Sequence, residues 1–193
     1  MTSLKNPTAH QRRILEILLS KYESSRTFSG QNKVTQTFSV KPEDVFPDYS
    51  DDFTDTALIS RFEEEVLELE RAGLAAVERD RRGISRIIAN KDAMSKYPAL
   101  LGVTDKHTTL NEAEEILRCH LGGHEYVRRL CEQQLERVAA MKKPDLAPDN
   151  VRLEQVLRCL DYILGNRSEI LERELSIELF GDSKLFEKTV RSR

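Results

Sequence analysis

A cluster of basic side chains follows the second strongly helical segment of the sequence. Between Glu78 and Asp92 the positive residues are Arg79, Arg81, Arg82, Arg86 and Lys91, and the negative residues are Glu78, Asp80 and Asp92. Basic side chains on an exposed turn contact phosphate oxygens and give salt-sensitive affinity with little base specificity, because each contact releases condensed counterions. We interpret the five cations as candidate phosphate contacts to double-stranded DNA. The alternative is a solvated turn that binds nothing.

An acidic segment precedes this cluster, and we call residues 43–55 the acidic loop. It carries Glu43, Asp44, Asp48, Asp51, Asp52 and Asp55. If the acidic loop shared a face with the basic cluster it would repel DNA, since phosphates are negatively charged. The same carboxylates could instead meet a basic partner.

Three further side chains offer soft metal ligands, in the pattern Cys119-His120 followed by His124. A tetrahedral zinc site needs four ligands, and no fourth is suitably spaced. Gly122-Gly123 also interrupts the helical spacing that would bring both imidazoles to one ion. We therefore predict no metal here, with a buried or interfacial Cys119 thiol and surface histidines.

Catalytic signatures are absent from the sequence. It has no GxSxG, GxxxxGK[ST], GxGxxG or HExxH pattern and no Asp-x-Asp pair after a strand, so no catalytic residue is predicted. Gly181-Asp182-Ser183-Lys184 could form an anion-binding turn at a helix start. Asp182 favours helix capping instead, because its carboxylate would itself occupy that position.

The first half of the sequence alternates helical and extended patterns. Helices are predicted from Thr8 to about Ser25 and from about Thr54 to Ala72, with Gly73 as the end of the second. Short strands and loops are predicted over residues 27–50, including Thr37 to Val40. Leu74 to Glu78 and Ile84 to Ala89 flank a polar turn with Gly83, so residues 74–89 are a β-hairpin, which we call the basic hairpin. A short helix, Lys91 to Leu101, follows.

The second half reads as a helical hairpin. Thr109 and Glu112 form a predicted capping box for a tract that runs to Val138 and is broken at Gly122-Gly123. The segment Lys142 to Pro148 forms a turn, and a returning helix runs from Val151 to Leu164 and stops at Gly165. Cys131 and Cys159 are predicted in its core. Beyond it, Leu175, Ile177 and Leu179 alternate with other residues as a short strand, and Gly181 opens a terminal helix to about Arg191.

Composition limits the class of protein. The chain has 193 residues, 39% hydrophobic, 33% charged and 6% aromatic, which is typical of a helix-rich globular protein. The net charge of −3 gives no general case for nucleic acid. Three cysteines without a CxxC pair indicate a reducing compartment, and the lack of a long apolar run or signal core predicts a cytoplasmic protein with no membrane association.

These patterns together predict a mainly α protein with a small β component. Helix, glycine, strand, basic turn and strand in succession is the order of a winged-helix domain. We predict a winged-helix-like domain over residues 1–104. Residues 105–193 are predicted to hold the helical hairpin, a short strand and helix, and the start of a linker to a further domain.

Three stretches resemble the N-terminal half of the JetD family, the nuclease subunit of bacterial Wadjet plasmid-defence systems. They are Val45-Phe46-Pro47-Asp48-Tyr49, the segment from Phe62 to Val77 that contains Leu69-Glu70-Arg71-Ala72-Gly73-Leu74, and Glu174 to Lys184, which ends in Phe180-Gly181-Asp182-Ser183-Lys184. The last stretch is the most specific. The resemblance spans about Thr8 to Lys188.

The resemblance implies a relative of the topoisomerase VI A subunit, in which helical and winged-helix parts lead into a metal-dependent Toprim nuclease domain. It further implies a homodimer and SMC-type complex subunits as partners. No Toprim Glu and Asp-x-Asp pattern is found before Arg193, so no family catalytic residue is assigned and no cofactor is expected in this chain. Divalent metal (Mg²⁺) would belong to the Toprim domain, and we do not expect this chain alone to be an enzyme.

The leading hypothesis is therefore a non-catalytic region of a JetD-like protein for DNA engagement, dimerisation or docking on the SMC complex. One alternative is a protein-interaction module in which Thr109 to Leu164 presents an apolar stripe to a partner or a second copy. Another is a stand-alone winged-helix DNA-binding regulator. The sequence does not decide whether the helix from Thr8 or the helix from Thr54 would approach a DNA groove.

Overall fold

The computed structural model describes residues 4, 6–30 and 36–188. The chain divides into two compact units, Met1–Asp105 and Lys106–Arg193. The described residues form seven α-helices and a three-stranded antiparallel sheet. The prediction of a mainly α protein with a small β component is confirmed.

The first helix of the N-terminal unit, α1, spans Ala9–Glu23 and begins at a capping box. The Thr8 hydroxyl accepts a hydrogen bond from the Gln11 backbone N–H at 3.3 Å, and the Gln11 side chain accepts one from the Thr8 N–H at 2.9 Å. This reciprocal pair satisfies donors that a helix start leaves free. The helix predicted from Thr8 is confirmed, with Ile14, Leu15, Leu18 and Leu19 buried on one side.

A short strand, two turns and a second helix follow. Strand β1 is Ser39–Val40, the 3₁₀ turns are Pro42–Asp44 and Pro47–Ser50, and α2 is Thr56–Arg71. Short strands and loops were predicted over 27–50, and the described part agrees, whereas residues 31–35 lie outside the described residues. Gly73 follows α2 with a positive φ of 70°, a conformation that glycine adopts easily, so the predicted end of this helix is confirmed.

The predicted β-hairpin is present and forms most of the sheet. Strand β2 is Ala75–Asp80 and strand β3 is Gly83–Ala89, and the strand order is β1-β3-β2. Val77 lies opposite Ile87, and the register shifts between Glu78 and Arg79. The predicted short helix from Lys91 to Leu101 is present as the 3₁₀ segment Lys91–Lys96 followed by α3, Tyr97–Leu101.

Buried polar contacts fix the packing of this unit beside its apolar core. The side-chain amide of Gln11, which is fully buried, donates to the Glu65 backbone carbonyl and to the Glu68 carboxylate, each at 2.8 Å. The Tyr97 hydroxyl donates to the Leu74 carbonyl at 2.6 Å. These bonds hold α1 against α2 and α3 against the start of the basic hairpin. Phe62 and Ile87 are fully buried in the apolar core of this unit.

The described part of the second unit contains four α-helices. They are α4 (Lys106–Cys119), α5 (Glu125–Ala139), α6 (Asn150–Gly165) and α7 (Glu172–Phe180). The predicted break at Gly122-Gly123 separates α4 from α5. The first three helices share one apolar core of Leu110, Ala113, Leu117, Val127, Cys131, Val138, Leu153 and Leu157. Cys131 and Cys159 are buried, as predicted.

Several local predictions in this unit are wrong. Thr109 does not cap α4, because the helix begins three residues earlier at Lys106 and Thr109 lies within it. The segment containing Leu175, Ile177 and Leu179 is not a strand but the helix α7. Ile177 is 54% exposed whereas the adjacent Ser176 is fully buried, which is a helical and not an alternating pattern.

Gly181 ends α7 and does not open the next segment. It has a φ of 70°, and its N–H donates to the Ile177 carbonyl at 2.8 Å. Asp182 then accepts the Lys184 N–H at 2.9 Å, which is the capping role predicted for that carboxylate. The described helical turn extends over 185–188, and the predicted end at Arg191 lies outside the described residues.

A polar contact holds the α4–α5 connection to α6. The His120 ring donates from Nδ1 to the Asp161 carboxylate, and the other carboxylate oxygen is buried and has no hydrogen-bond partner among the described residues. This carboxylate lies so close to Gly123 that a β-carbon there would overlap it, whereas a β-carbon at Gly122 would meet nothing within 4 Å.

We therefore expect Gly123→Ala to lower the free energy of unfolding of the protein by about 1–3 kcal/mol, because the added methyl group must displace the Asp161 carboxylate. Gly122→Ala is the matched control and should change stability by less than about 0.5 kcal/mol. Urea unfolding followed by circular dichroism measures both. Equal stability of the two variants would contradict this packing.

Candidate nucleic-acid interface

The tip of the basic hairpin is a tight two-residue connection. Asp80 and Gly83 are paired across the strands, so Arg81 and Arg82 form the turn. The Asp80 carboxylate accepts the Arg82 backbone N–H at 2.7 Å, which is a local Asx-type bond that stabilises the turn. Gly83 has a φ of 125°, a value that residues with a β-carbon rarely adopt.

Tyr49 supports the hairpin from the acidic loop. Its hydroxyl donates to the Glu63 carboxylate of α2 at 2.6 Å and accepts the Ile84 backbone N–H of β3 at 2.7 Å. Burial, together with the hydrogen bond to Glu63, raises the pKa of Tyr49 to about 12. A β-carbon on Gly83 would lie 2.5 Å from the Tyr49 hydroxyl oxygen, so this position needs glycine for space as well as for backbone conformation.

The five predicted phosphate-contact residues are all exposed on the hairpin or just beyond it. They are Arg79, Arg81, Arg82, Arg86 and Lys91. Arg86 lies 3.7 Å from Glu78 on the facing strand, and both side chains are about half exposed. The other four have no ion pair with any described residue, so their charge is available to an anion. An exposed pair such as Arg86 and Glu78 is weak, and phosphate can compete for it.

The acidic loop lies beside the basic hairpin. Its carboxylates would therefore repel DNA phosphates near the hairpin, which is the repulsion considered in the sequence analysis. A groove of about 740 Å³ is lined on one side by Glu43, Asp51 and Asp52 and on the other by Asp80 and Arg82. Tyr49 and Ile84 also line it. Among the five cations only Arg82 lines the groove, and Lys41 adds a second positive charge there, so the four carboxylates still outnumber the cations. A duplex would meet favourable charge at the hairpin tip and unfavourable charge on this flank.

Of the two helices considered for approach to a DNA groove, α2 has an exposed side that is poorly suited to it. On α2, Glu64 and Glu68 are exposed, and Arg61 pairs with Glu65 at 3.3 Å. On α1, the Arg12 guanidinium donates to the Leu101 carbonyl at 2.8 Å. The exposed side of α2 therefore carries carboxylates where base recognition would call for donors and cations.

The burial of Cys119 and His120 differs from the prediction. Cys119 is exposed and not buried, whereas the side chain of His120 is only 14% exposed because it packs against Asp161. His124 caps α5, where its Nδ1 accepts the Tyr126 N–H at 3.2 Å. Across residues 4, 6–30 and 36–188, no group of three or more His, Cys, Asp or Glu side chains is arranged to hold a metal ion.

The sequence patterns did not identify Tyr49 as a structural support of the site. Tyr49 stands in the stretch Val45-Phe46-Pro47-Asp48-Tyr49, which resembles JetD, but nothing in its local pattern indicates a bond to Ile84, 35 residues away. Nor does the local pattern indicate the aromatic contact between Tyr49 and Phe62, whose ring centroids are 5.4 Å apart.

No protein-family model, curated protein or solved structure matches this chain. The resemblance to JetD thus stays an expectation that rests on the three stretches quoted above. Within the described part of the chain, none of the helices combines the length and apolar character needed to cross a membrane.

We expect Tyr49→Phe to lower the free energy of unfolding by about 1–3 kcal/mol, because it leaves the Ile84 N–H and the Glu63 carboxylate without this partner. Tyr126→Phe, at a residue 60% exposed, is the control and should have almost no effect. The pKa of Tyr49 is raised from 10.0 to about 12, so the hydroxyl stabilises the fold fully below pH 10 and loses this contribution between pH 10 and 12.

The difference in stability between the wild type and Tyr49→Phe should consequently narrow over that alkaline range. Urea unfolding at a series of pH values measures it. A difference that stays constant up to pH 12 would show that the Tyr49 hydroxyl does not make these bonds.

Proposed function

We propose that the basic hairpin binds the phosphate backbone of double-stranded DNA, and that the chain is a non-catalytic, DNA-engaging and dimerising region of a JetD-like subunit of a Wadjet anti-plasmid system. The observation that carries the proposal is the set of exposed cations at the hairpin, of which Arg79, Arg81, Arg82 and Lys91 have no ion pair among the described residues. Binding to SMC-type subunits and formation of a homodimer follow from the resemblance alone.

The topology of the N-terminal unit supports a winged-helix assignment. The elements come in the order helix, short strand, helix and hairpin, and β1 pairs with β3 instead of with β2. This strand order is similar to that of a winged helix, in which the 3₁₀ turns would take the place of the middle helix. In that assignment α2 takes the recognition-helix position and the basic hairpin is the wing.

The charges of α2 favour contact through the wing alone. A recognition helix that exposes Glu64 and Glu68 would place carboxylates against phosphates and base edges, which costs binding energy. Hairpin cations that reach only phosphates provide affinity without sequence readout. This favours a protein that engages DNA of any sequence over the alternative of a base-specific regulator.

Replacing Arg79, Arg81, Arg82 and Arg86 together by alanine should weaken binding to a short mixed-sequence duplex at low salt. If all four contact phosphates, the slope of log K against log salt should become shallower by about 3–4. Fluorescence anisotropy with a labelled duplex measures both quantities. Replacing Arg13, Arg118, Arg128 and Arg129 by alanine removes the same charge elsewhere and should leave the slope unchanged. Equal slopes for all three proteins would remove the hairpin from the proposal.

Neutralising carboxylates of the acidic loop should strengthen DNA binding. Asp51→Asn with Asp52→Asn removes two negative charges from the groove that contains Arg82, so DNA affinity at low salt should rise about two- to fivefold. Glu136→Gln with Glu169→Gln makes the same change in net charge in the second unit and is the control. The same gain in both double variants would mean that net charge, and not the local flank, sets the affinity.

A further inference from the structure

A groove of about 430 Å³ lies between α4 and α6 in the second unit. Its apolar lining comes from Ile116 and Val151, with the Cys119 thiol beside them. Its polar lining is mostly acidic, from Glu112, Glu115 and Glu154, with Asn150 and His120 completing the wall. The groove thus combines an apolar strip with a carboxylate rim.

Three carboxylates line the groove without an ion pair to a described residue. Four other acids of this unit pair with arginines, namely Glu114 with Arg118, Glu125 with Arg129, Glu132 with Arg128 and Asp145 with Arg137. Exposed acids such as Glu136 and Glu169 are unpaired among the described residues as well, but Glu115 and Glu154 line one concave site, beside Glu112, which accepts the Asn150 amide at 3.1 Å. The groove therefore concentrates negative charge that the described part of the unit does not neutralise.

The apolar strip is also incompletely covered. Val151, in the first turn of α6, is 68% exposed, although it lies beside Ile116, which packs on the core of the unit. A single exposed valine is ordinary on a protein surface, but here it lies inside a concave site next to unpaired carboxylates. Apolar and acidic groups side by side match a segment that presents an apolar side chain flanked by cations.

The wall of the groove is held in place before any partner arrives. The His120 Nδ1 donates to the Asp161 carboxylate of α6, so the ring that lines the groove is fixed between the two helices. The Asn150 amide donates to the Thr109 carbonyl at 2.8 Å as well as to Glu112, which ties the start of α6 to α4. A preformed groove lowers the ordering cost of binding.

We propose that this α4–α6 groove is a docking site for a basic amphipathic segment of a partner protein, with its apolar side chain on Ile116 and Val151 and its lysines or arginines beside Glu115 and Glu154. The choice of partner rests on charge complementarity with the unpaired rim. The same carboxylates repel nucleic acid, so this surface is separate in chemistry from the DNA contact proposed for the basic hairpin. The docking proposal does not depend on that function.

The test uses a fluorescein-labelled peptide of two consecutive Lys-Leu-Ala-Lys-Leu-Ala-Lys units, and a second peptide with glutamate in place of every lysine. The full chain should bind the lysine peptide and not the glutamate peptide in fluorescence anisotropy. Glu115→Gln with Glu154→Gln should weaken binding of the lysine peptide about five- to tenfold. Glu136→Gln with Glu169→Gln removes the same charge from exposed side chains outside the groove and should leave binding unchanged.

Val151→Ser tests the apolar strip and should also weaken binding, by about threefold or more. Circular dichroism melting of each variant shows whether it is folded. Equal losses in the two glutamine double variants, no loss with Val151→Ser, or binding of the glutamate peptide would each overturn the proposal. Self-association of the chain that only the Glu115 and Glu154 changes abolish, without binding of the lysine peptide, would also overturn it and identify a second copy as the occupant.

Discussion

The Tyr49 hydroxyl is the point at which three segments of the N-terminal unit meet. It binds the Glu63 carboxylate of α2 and the Ile84 backbone N–H of β3, while its own backbone belongs to the acidic loop. Ile84 is the second residue of β3, so this bond holds the hairpin immediately beside its turn. A hairpin of two strands is only marginally stable by itself, and support at this position allows Arg81 and Arg82 to be presented in a defined place.

The same interaction has an electrostatic cost. Because Tyr49 brings the acidic loop against the hairpin, Asp51 and Asp52 share a groove with Arg82. At physiological salt, charges interact over about 8 Å, so these carboxylates act on a ligand at the turn but only weakly on one further away. The favourable approach for an anion is therefore from the side of the hairpin away from the acidic loop. In the proposed complex with DNA, the acidic loop would restrict the orientation of the duplex without cancelling the positive charge of the hairpin.

Local patterns in the sequence were sufficient for most of the first unit. The Thr8 cap, the Gly73 helix end and the Gly83 hairpin are each specified by a few neighbouring residues, and each is present in the structure. The exposure of the five cations could be predicted for the same reason, since four of them lie in the hairpin and Lys91 follows it. Their relation to the acidic loop could not be predicted, because it depends on the Tyr49 bond to a residue 35 positions away.

The errors in the second unit have a similar physical cause. Leu175, Ile177 and Leu179 alternate in the way a strand would, but a short helix can show the same spacing when only one turn of it is buried. In α7 the buried residues are the adjacent Leu175 and Ser176, and the Ser176 hydroxyl bonds to the Asp182 carbonyl beyond the helix. The prediction that Gly181 opens an element is wrong because a glycine marks a helix boundary but does not show whether a helix ends or begins there. The Thr109 capping box was wrong because α4 begins three residues earlier, at Lys106, so Thr109 lies within the helix and not at its start.

The two proposed surfaces carry opposite charge, so each disfavours the ligand of the other. The hairpin cations attract phosphate and repel a basic protein segment, whereas Glu115 and Glu154 do the reverse. A duplex at the hairpin therefore cannot compete directly for the α4–α6 groove, and a basic partner in the groove has no reason to displace the duplex. With a net charge of only −3, this selectivity comes from where the charges lie and not from their sum. The two proposals together assign DNA and a basic protein segment to different surfaces of the chain, in keeping with the proposed role as a subunit of a larger complex.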